Sequence, residues 1–224
     1  MRKEPLVTGY LYHICTKSIA GYKIFRSDKD YLRMLEMMKY YTYEEPPMKF
    51  SAYYKLDKGR QYEIYQELLN KGRIVEILAY CIMPTHIHLI LSQLKEDGIS
   101  LYMKNLLNSY TRYFNTKTKR KGPLWQGRFK SVLIKTDEQL LHLTRYIHLN
   151  PTSEDLVERP EDWPYSSYKE YLKNSEEPLC NFSKYLNIDP KTYREFVESR
   201  KGYQRRLSEI KHLLLEYPPL HSTS

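Results

Sequence analysis

Apolar and polar positions change period several times along the chain, and each change predicts an element. Residues 7–16 (VTGYLYHICT) are rich in β-branched and aromatic side chains and predict a strand. Ser27 and Asp28 offer capping oxygens to a helix over 30–41, which must stop before Pro46 and Pro47. Helical spacing of Tyr62, Ile64, Tyr65, Leu68 and Leu69 predicts a further helix over 57–70, closed by Asn70-Lys71-Gly72. Two nearly continuous apolar runs follow, 74–83 and 86–91, joined by a Pro84-Thr85 corner. Such runs predict central strands, and so short a corner makes them antiparallel neighbours. Ser100 is placed to cap a long helix to about Lys117, with Leu101, Leu106, Leu107, Tyr110 and Phe114 on its inner stripe. After a basic turn at 119–123, a strand through Lys135 is predicted. Thr136 and Gln139 have capping-box spacing, so a helix should open there, run to about Asn150 and yield near Pro151. Beyond it the chain reads as loop, then as helix at 166–172, 190–201 and 203–217.

Strands alternating with helices in this order predict an α+β fold, an antiparallel sheet with helices on one face. The expected organisation is a domain over 1–152, with an inserted helical segment at about 43–73. A C-terminal helical extension over 153–224 would follow as an accessory segment. At 224 residues the chain can bury a sizeable core without disulfide or metal staples.

Charge narrows the class of partner. The net charge of +9 favours a polyanion. No apolar run is long enough to span a bilayer, and the first residues show no apolar leader core, so a membrane partner is not expected. Three widely spaced cysteines (Cys15, Cys81, Cys180) without a CxxC argue against a disulfide framework or a thiolate zinc site and suit a reducing, cytoplasmic setting. The 23 tyrosines suit either half-buried sheet positions or stacking on bases.

Three clusters carry candidate chemistry. His86 and His88 lie two apart on a predicted strand, so both imidazoles share one face while Ile87, Leu89 and Leu91 turn to the core. Such a pair is half of a divalent-metal site or, alternatively, two histidines satisfied at a sheet surface. Tyr146 and Asn150 lie four apart on the helix after Thr136, flanking the stripe of Leu140, Leu143 and Ile147 that would dock it on the sheet. There they could reach the histidine face, or serve merely as a boundary tyrosine and a helix end. His142 lies one turn further back, as an auxiliary polar group or a surface residue, and His148 is expected to be exposed. The third cluster spans 98–136, which holds nine basic residues and no acidic one. Interleaved with aromatic rings, these side chains suit phosphates and unpaired bases. Trp125 fits either a stacking platform or a core indole, and Tyr110 follows the inner stripe of its helix.

Together these motifs resemble the single-tyrosine HUH transposases of bacterial insertion sequences, most closely the REP-associated tyrosine transposases. The resemblance rests on AYCIMPTHIHLIL (79–91), NSYTRYFN (108–115), GPLWQGRFK (122–130) and YIHLNP (146–151), and extends over roughly residues 5–172. Thr85 stands where family members more often carry Asn, and residues 43–73 are longer than in the smallest members. The resemblance implies a ferredoxin-like or RRM-like sheet. It implies a divalent ion, Mg²⁺ or Mn²⁺, held by His86 and His88 with help from Asn150, and Tyr146 as nucleophile. It further implies cleavage and rejoining of single-stranded DNA at hairpin-marked sites through a 5′-phosphotyrosine intermediate, by a monomer or a homodimer. Arg112, Lys119, Arg120, Lys121, Arg128 and Lys130, with Trp125, are then the expected DNA contacts. Two other functions fit the same residues: an RRM-like nucleic-acid-binding module without catalysis, and a metal-dependent nuclease that uses water.

Overall fold

The computed structural model describes residues 5–173, 175 and 178–199; the expected helix over 203–217 lies outside them. Four strands form one antiparallel sheet: β1 (Leu11–Lys17), β2 (Val75–Ile82), β3 (His86–Gln93) and β4 (Lys130–Ile134), in the order β2-β3-β1-β4. The helices are α1 (Asp28–Tyr41), α2 (Phe50–Tyr53), α3 (Lys58–Lys71), α4 (Gly98–Thr118), α5 (Asp137–Ser153), α6 (Tyr168–Tyr171) and α7 (Pro190–Glu198). The α+β architecture and the C-terminal helices are those expected.

Alternation along the central strands divides the sheet into two faces. Tyr12, Ile14, Ile77, Ile82, Ile87, Leu89 and Leu91 join Met34, Met37, Tyr102, Leu106, Tyr110 and Phe114 in the core beneath α1 and α4. Leu78, Ala79, Cys81 and Ile90 face the other way, toward Leu143 and Ile147 of α5 and Tyr168, Tyr171 and Tyr193 of the C-terminal helices. The two faces of one sheet therefore meet different layers.

Helix α4 begins at Gly98, earlier than the expected start at Ser100. Gly98 abuts the Ile74 carbonyl so closely that an added Cβ would collide with it, so a residue lacking a side chain sets the start. The outer edge of β2 is also covered. Ile82 donates its N–H to Tyr165 O (2.9 Å), Ser167 to Tyr80 O (3.0 Å) and Asn181 to Ile77 O (2.9 Å). The Ser167 hydroxyl accepts the Tyr80 N–H at 2.9 Å. Tyr165, Ser167 and Asn181 thus satisfy backbone groups that an open edge strand would expose.

Candidate active site

The histidine pair sits on β3, where His86 and His88 project from the face opposite Ile87 and Leu89. Both are buried, with ring centroids 5.0 Å apart and planes at 86°. Each ring has a partner at Nδ1. Thr85 Oγ1 lies 3.0 Å from His86 Nδ1, and His13 Nε2 lies 2.9 Å from His88 Nδ1. His13, on β1, was not singled out in the sequence. The available signal was the alternation of β1, in which Tyr12 and Ile14 belong to the apolar core and His13 to the other face.

Helix α5 brings the remaining groups. Thr136 caps it by accepting the Gln139 N–H (3.1 Å), as the capping-box spacing predicted, while Gln139 Oε1 reaches one residue before the cap and accepts the Lys135 N–H (2.9 Å). The Tyr146 ring stands edge-on to His88 at 5.7 Å and to His13 at 6.4 Å. One turn on, Asn150 is 3 % exposed and its amide nitrogen has no hydrogen-bond partner. Another turn on, Glu154 Oε1 lies 3.8 Å from His86 Nε2. Tyr146, Asn150 and Glu154 follow a spacing of four, so they form one stripe facing the imidazoles. Glu154 was missed because the helix was expected to yield near Pro151. Instead Pro151 lies inside α5, which continues to Ser153. So near the helix end the proline forfeits one backbone hydrogen bond, and the burial of α5 between sheet and C-terminal helices outweighs that cost.

The rotation of α5 is fixed from behind. His148, expected to be exposed, is fully buried, with Nδ1 2.6 Å from the Tyr193 hydroxyl and Nε2 2.7 Å from Ser167 Oγ. Burial pushes its pKa down to about 3, so both nitrogens serve as neutral hydrogen-bonding groups. Arg145 is also buried, donating to Phe196 O (3.2 Å) and lying 3.2 Å from His142 Nδ1, with its guanidinium 4.2 Å above the Phe196 ring. His142 is accordingly engaged in the packing between α5 and α7.

The donor set can be tested against a divalent ion. Among the described residues, no group of three or more His, Cys, Asp or Glu side chains is placed to hold a metal. His86 and His88 do share one face of β3, the Asn150 helix packs on that face, and the Asn150 amide is a buried polar group that calls for a partner. Amide O and N are interchangeable by a flip, so this side chain can offer oxygen. The set therefore fits a divalent ion with open positions.

The basic segment lies beside the same end of the sheet. Ser18 bridges to Trp125, Gln126 donates to Lys17 O, and Lys17 pairs with His86 in the sheet register. Across that sheet, Cys15 pairs with both Lys130 and His88, so the Lys130 and His88 side chains share a face. Arg112, Lys119, Lys121, Arg128 and Lys130 are exposed. Arg120 instead clamps its own turn, reaching Asn115 Oδ1 (3.2 Å), Gly122 O (3.3 Å) and Pro123 O (2.7 Å). Trp125 is 8 % exposed and donates Nε1–H to Leu107 O at 3.2 Å, while Tyr110 is wholly buried and donates to Ile24 O at 2.8 Å. Of the two uses open to Trp125, this placement favours the core indole. No helix of the described residues is long and apolar enough to cross a membrane.

Known proteins share this arrangement of sequence and fold. Residues 49–150 match the family model described as "Transposase IS200 like"; this span holds His86, His88, Tyr146 and Asn150 but neither His13 nor Glu154. A Haemophilus influenzae protein named as a REP-associated tyrosine transposase is 36% identical over 109 residues, covering 44% of this chain and 61% of that one. The REP-associated tyrosine transposase of Escherichia coli is 27% identical over 112 residues, covering 48% and 65%. The chain thus spans under two thirds of the length of either relative. A solved structure of a REP-associated tyrosine transposase bound to a REP hairpin superposes with a TM-score of 0.54 at 16% identity, covering 84% of this chain and 98% of that one. That likeness shows a common fold. Over residues 49–150 this chain is therefore similar to the IS200-like transposase family.

Proposed function

We propose that the protein is a metal-dependent transposase that nicks and rejoins single-stranded DNA at hairpin-marked sites, with Tyr146 as the nucleophile. The observation that carries this reading is the meeting of the Tyr146 ring with His88 across the interface of α5 and β3, 5.7 Å between centroids. The family match and the hairpin bound by the solved relative support the substrate class.

The Tyr146 phenol must pass its proton to a base or to solvent to attack. The phenolate oxygen then forms a bond to the phosphorus of the scissile phosphodiester. The P–O3′ bond breaks, leaving a 5′-phosphotyrosine on the protein and, after protonation of the leaving oxygen, a free 3′-OH. Bond energy is conserved for rejoining when another 3′-OH attacks the phosphotyrosine. His86, His88 and Asn150 would hold the divalent ion, which supplies charge neutralisation at the phosphate and the leaving oxygen. Burial of Tyr146, His88 and Asn150 keeps water from competing at the reacting centre. Exposed Arg112, Lys119, Lys121, Arg128 and Lys130 would follow the DNA backbone into the site.

The test is incubation of the protein with single-stranded hairpin oligonucleotides and Mn²⁺, followed by a denaturing gel. A covalent protein–DNA species should form and disappear in Tyr146→Phe, which should still bind the hairpin. An adduct that persists in that variant reassigns the nucleophile. Cleavage without an adduct would instead indicate attack by water, and binding without cleavage would indicate an RRM-like binding module.

A further inference from the structure

His13 lies outside the matched span yet its side chain meets that of His88 at hydrogen-bonding distance. It is wholly buried on the central strand β1. Its ring stacks on that of His88 at 5.2 Å and 22°, with Nε2 2.9 Å from His88 Nδ1. A hydrogen bond between two neutral imidazoles needs one N–H and one lone pair, so only two arrangements exist. If His13 donates, His88 must carry its own proton on Nε2, and that nitrogen cannot bind a cation. If His88 donates from Nδ1, its Nε2 holds a lone pair directed away from β1. The identity of the donor in this one bond therefore decides whether His88 can act as a ligand.

His86 shows the same pattern with a different partner. Its Nδ1 faces Thr85 Oγ1 at 3.0 Å, and its Nε2 points toward the α5 stripe, where Glu154 lies. Both imidazoles of the pair are thus engaged by the protein at Nδ1. Partners of this kind fix a ligand's tautomer and ring orientation, and their loss commonly weakens metal affinity by about 10- to 100-fold.

Resting on the metal-dependent reading above, we propose that His13 is a positioning residue. Its Nε2 accepts the Nδ1–H of His88 and so presents His88 Nε2 to the divalent ion. Stacking of the two rings holds the imidazole plane in place, and the Tyr146 edge packs against both.

The test uses the full chain and Mn²⁺ alone, without DNA. Imidazole ¹⁵N shifts of the metal-free protein should show His88 as the Nδ1–H tautomer; the Nε2–H tautomer would overturn the proposal. By titration calorimetry, His13→Leu, which fills the space but accepts no hydrogen bond, should weaken Mn²⁺ binding about 10- to 100-fold. His13→Gln, whose amide oxygen can still accept, should stay within about threefold of the unaltered protein, a rescue that mere packing would not give. A folded His13→Leu variant with unchanged Mn²⁺ affinity would also overturn the proposal. Should His13→Leu fail to fold, the tautomer in the unaltered chain and the His13→Gln affinity decide. A chain that binds no Mn²⁺ at all would refute the metal-dependent reading, while the His88 tautomer would still decide the role of His13.

Discussion

The two faces of the sheet use the same strands for opposite ends. Beneath α1 and α4, Ile14, Leu89 and Leu91 meet a continuous apolar layer of Met34, Leu106 and Phe114. On the reverse, one residue out of phase, stand His13, Cys15, His86 and His88, all buried. Removing polar groups from water is costly unless they are bonded, so this histidine patch contributes less to folding per residue than the apolar positions of either face. What it gains is a set of imidazoles whose nitrogens are held in fixed directions. A single sheet can thus bury apolar side chains on both faces and set a patch of imidazoles into one of them, because side chains alternate with a period of two.

The sharpest way to break this contrast is to cut each face in turn. Leu89→Ala removes a wholly buried side chain from the apolar face and should cost about 2–5 kcal/mol of unfolding free energy. His86→Ala on the other face should cost about 1 kcal/mol in stability yet abolish Mn²⁺ binding. Urea midpoints and calorimetry on the two variants check this, and equal destabilisation would erase the distinction.

A somewhat smaller effect is expected behind the chemical face. His148 is buried neutral with its pKa lowered to about 3, whereas in the unfolded chain it titrates near 6.5. The unfolded state therefore takes up the proton first as pH falls. This contribution to stability is complete above pH 6.5 and declines toward pH 3, with roughly 3 kcal/mol lost by pH 4. His148→Gln, which cannot protonate, should show a flatter pH dependence in urea unfolding; parallel curves would contradict the buried neutral state.

The smallest effects belong to the exposed cations at the sheet end. Arg112→Ala and Lys119→Ala should each weaken hairpin binding alike across sequences and reduce the slope of log K against log salt by about 1. Trp125→Phe, at a core position, should leave that slope unchanged. A reduced slope in Trp125→Phe would place the indole against DNA after all.

Local pattern made the antiparallel strands, the long helices and the pairing of His86 with His88 legible, because those depend on periods of two and 3.6 residues. The likeness of the motif strings picked out Tyr146 and Asn150. His13 stayed hidden because its meaning comes from pairing between β1 and β3, whose residues are 75 apart at the His13–His88 contact. The burial of His148 was hidden for the same reason, since Tyr193 is 45 residues away. Glu154 was missed through a local rule applied too strictly: proline disfavours helix in general, but tertiary burial carried α5 past Pro151. Arg120 read as a phosphate contact by charge alone, and only the fold shows its guanidinium closing a turn.

Tyr165, Ser167 and Asn181 seal the margin of β2, and the family match ends before them, at residue 150. A shortened protein that stopped at α5 would keep every proposed ligand and the nucleophile, yet leave a raw row of amide groups along one flank of the sheet. Such a fragment would recruit a fifth strand from a neighbouring molecule and gather into oligomers.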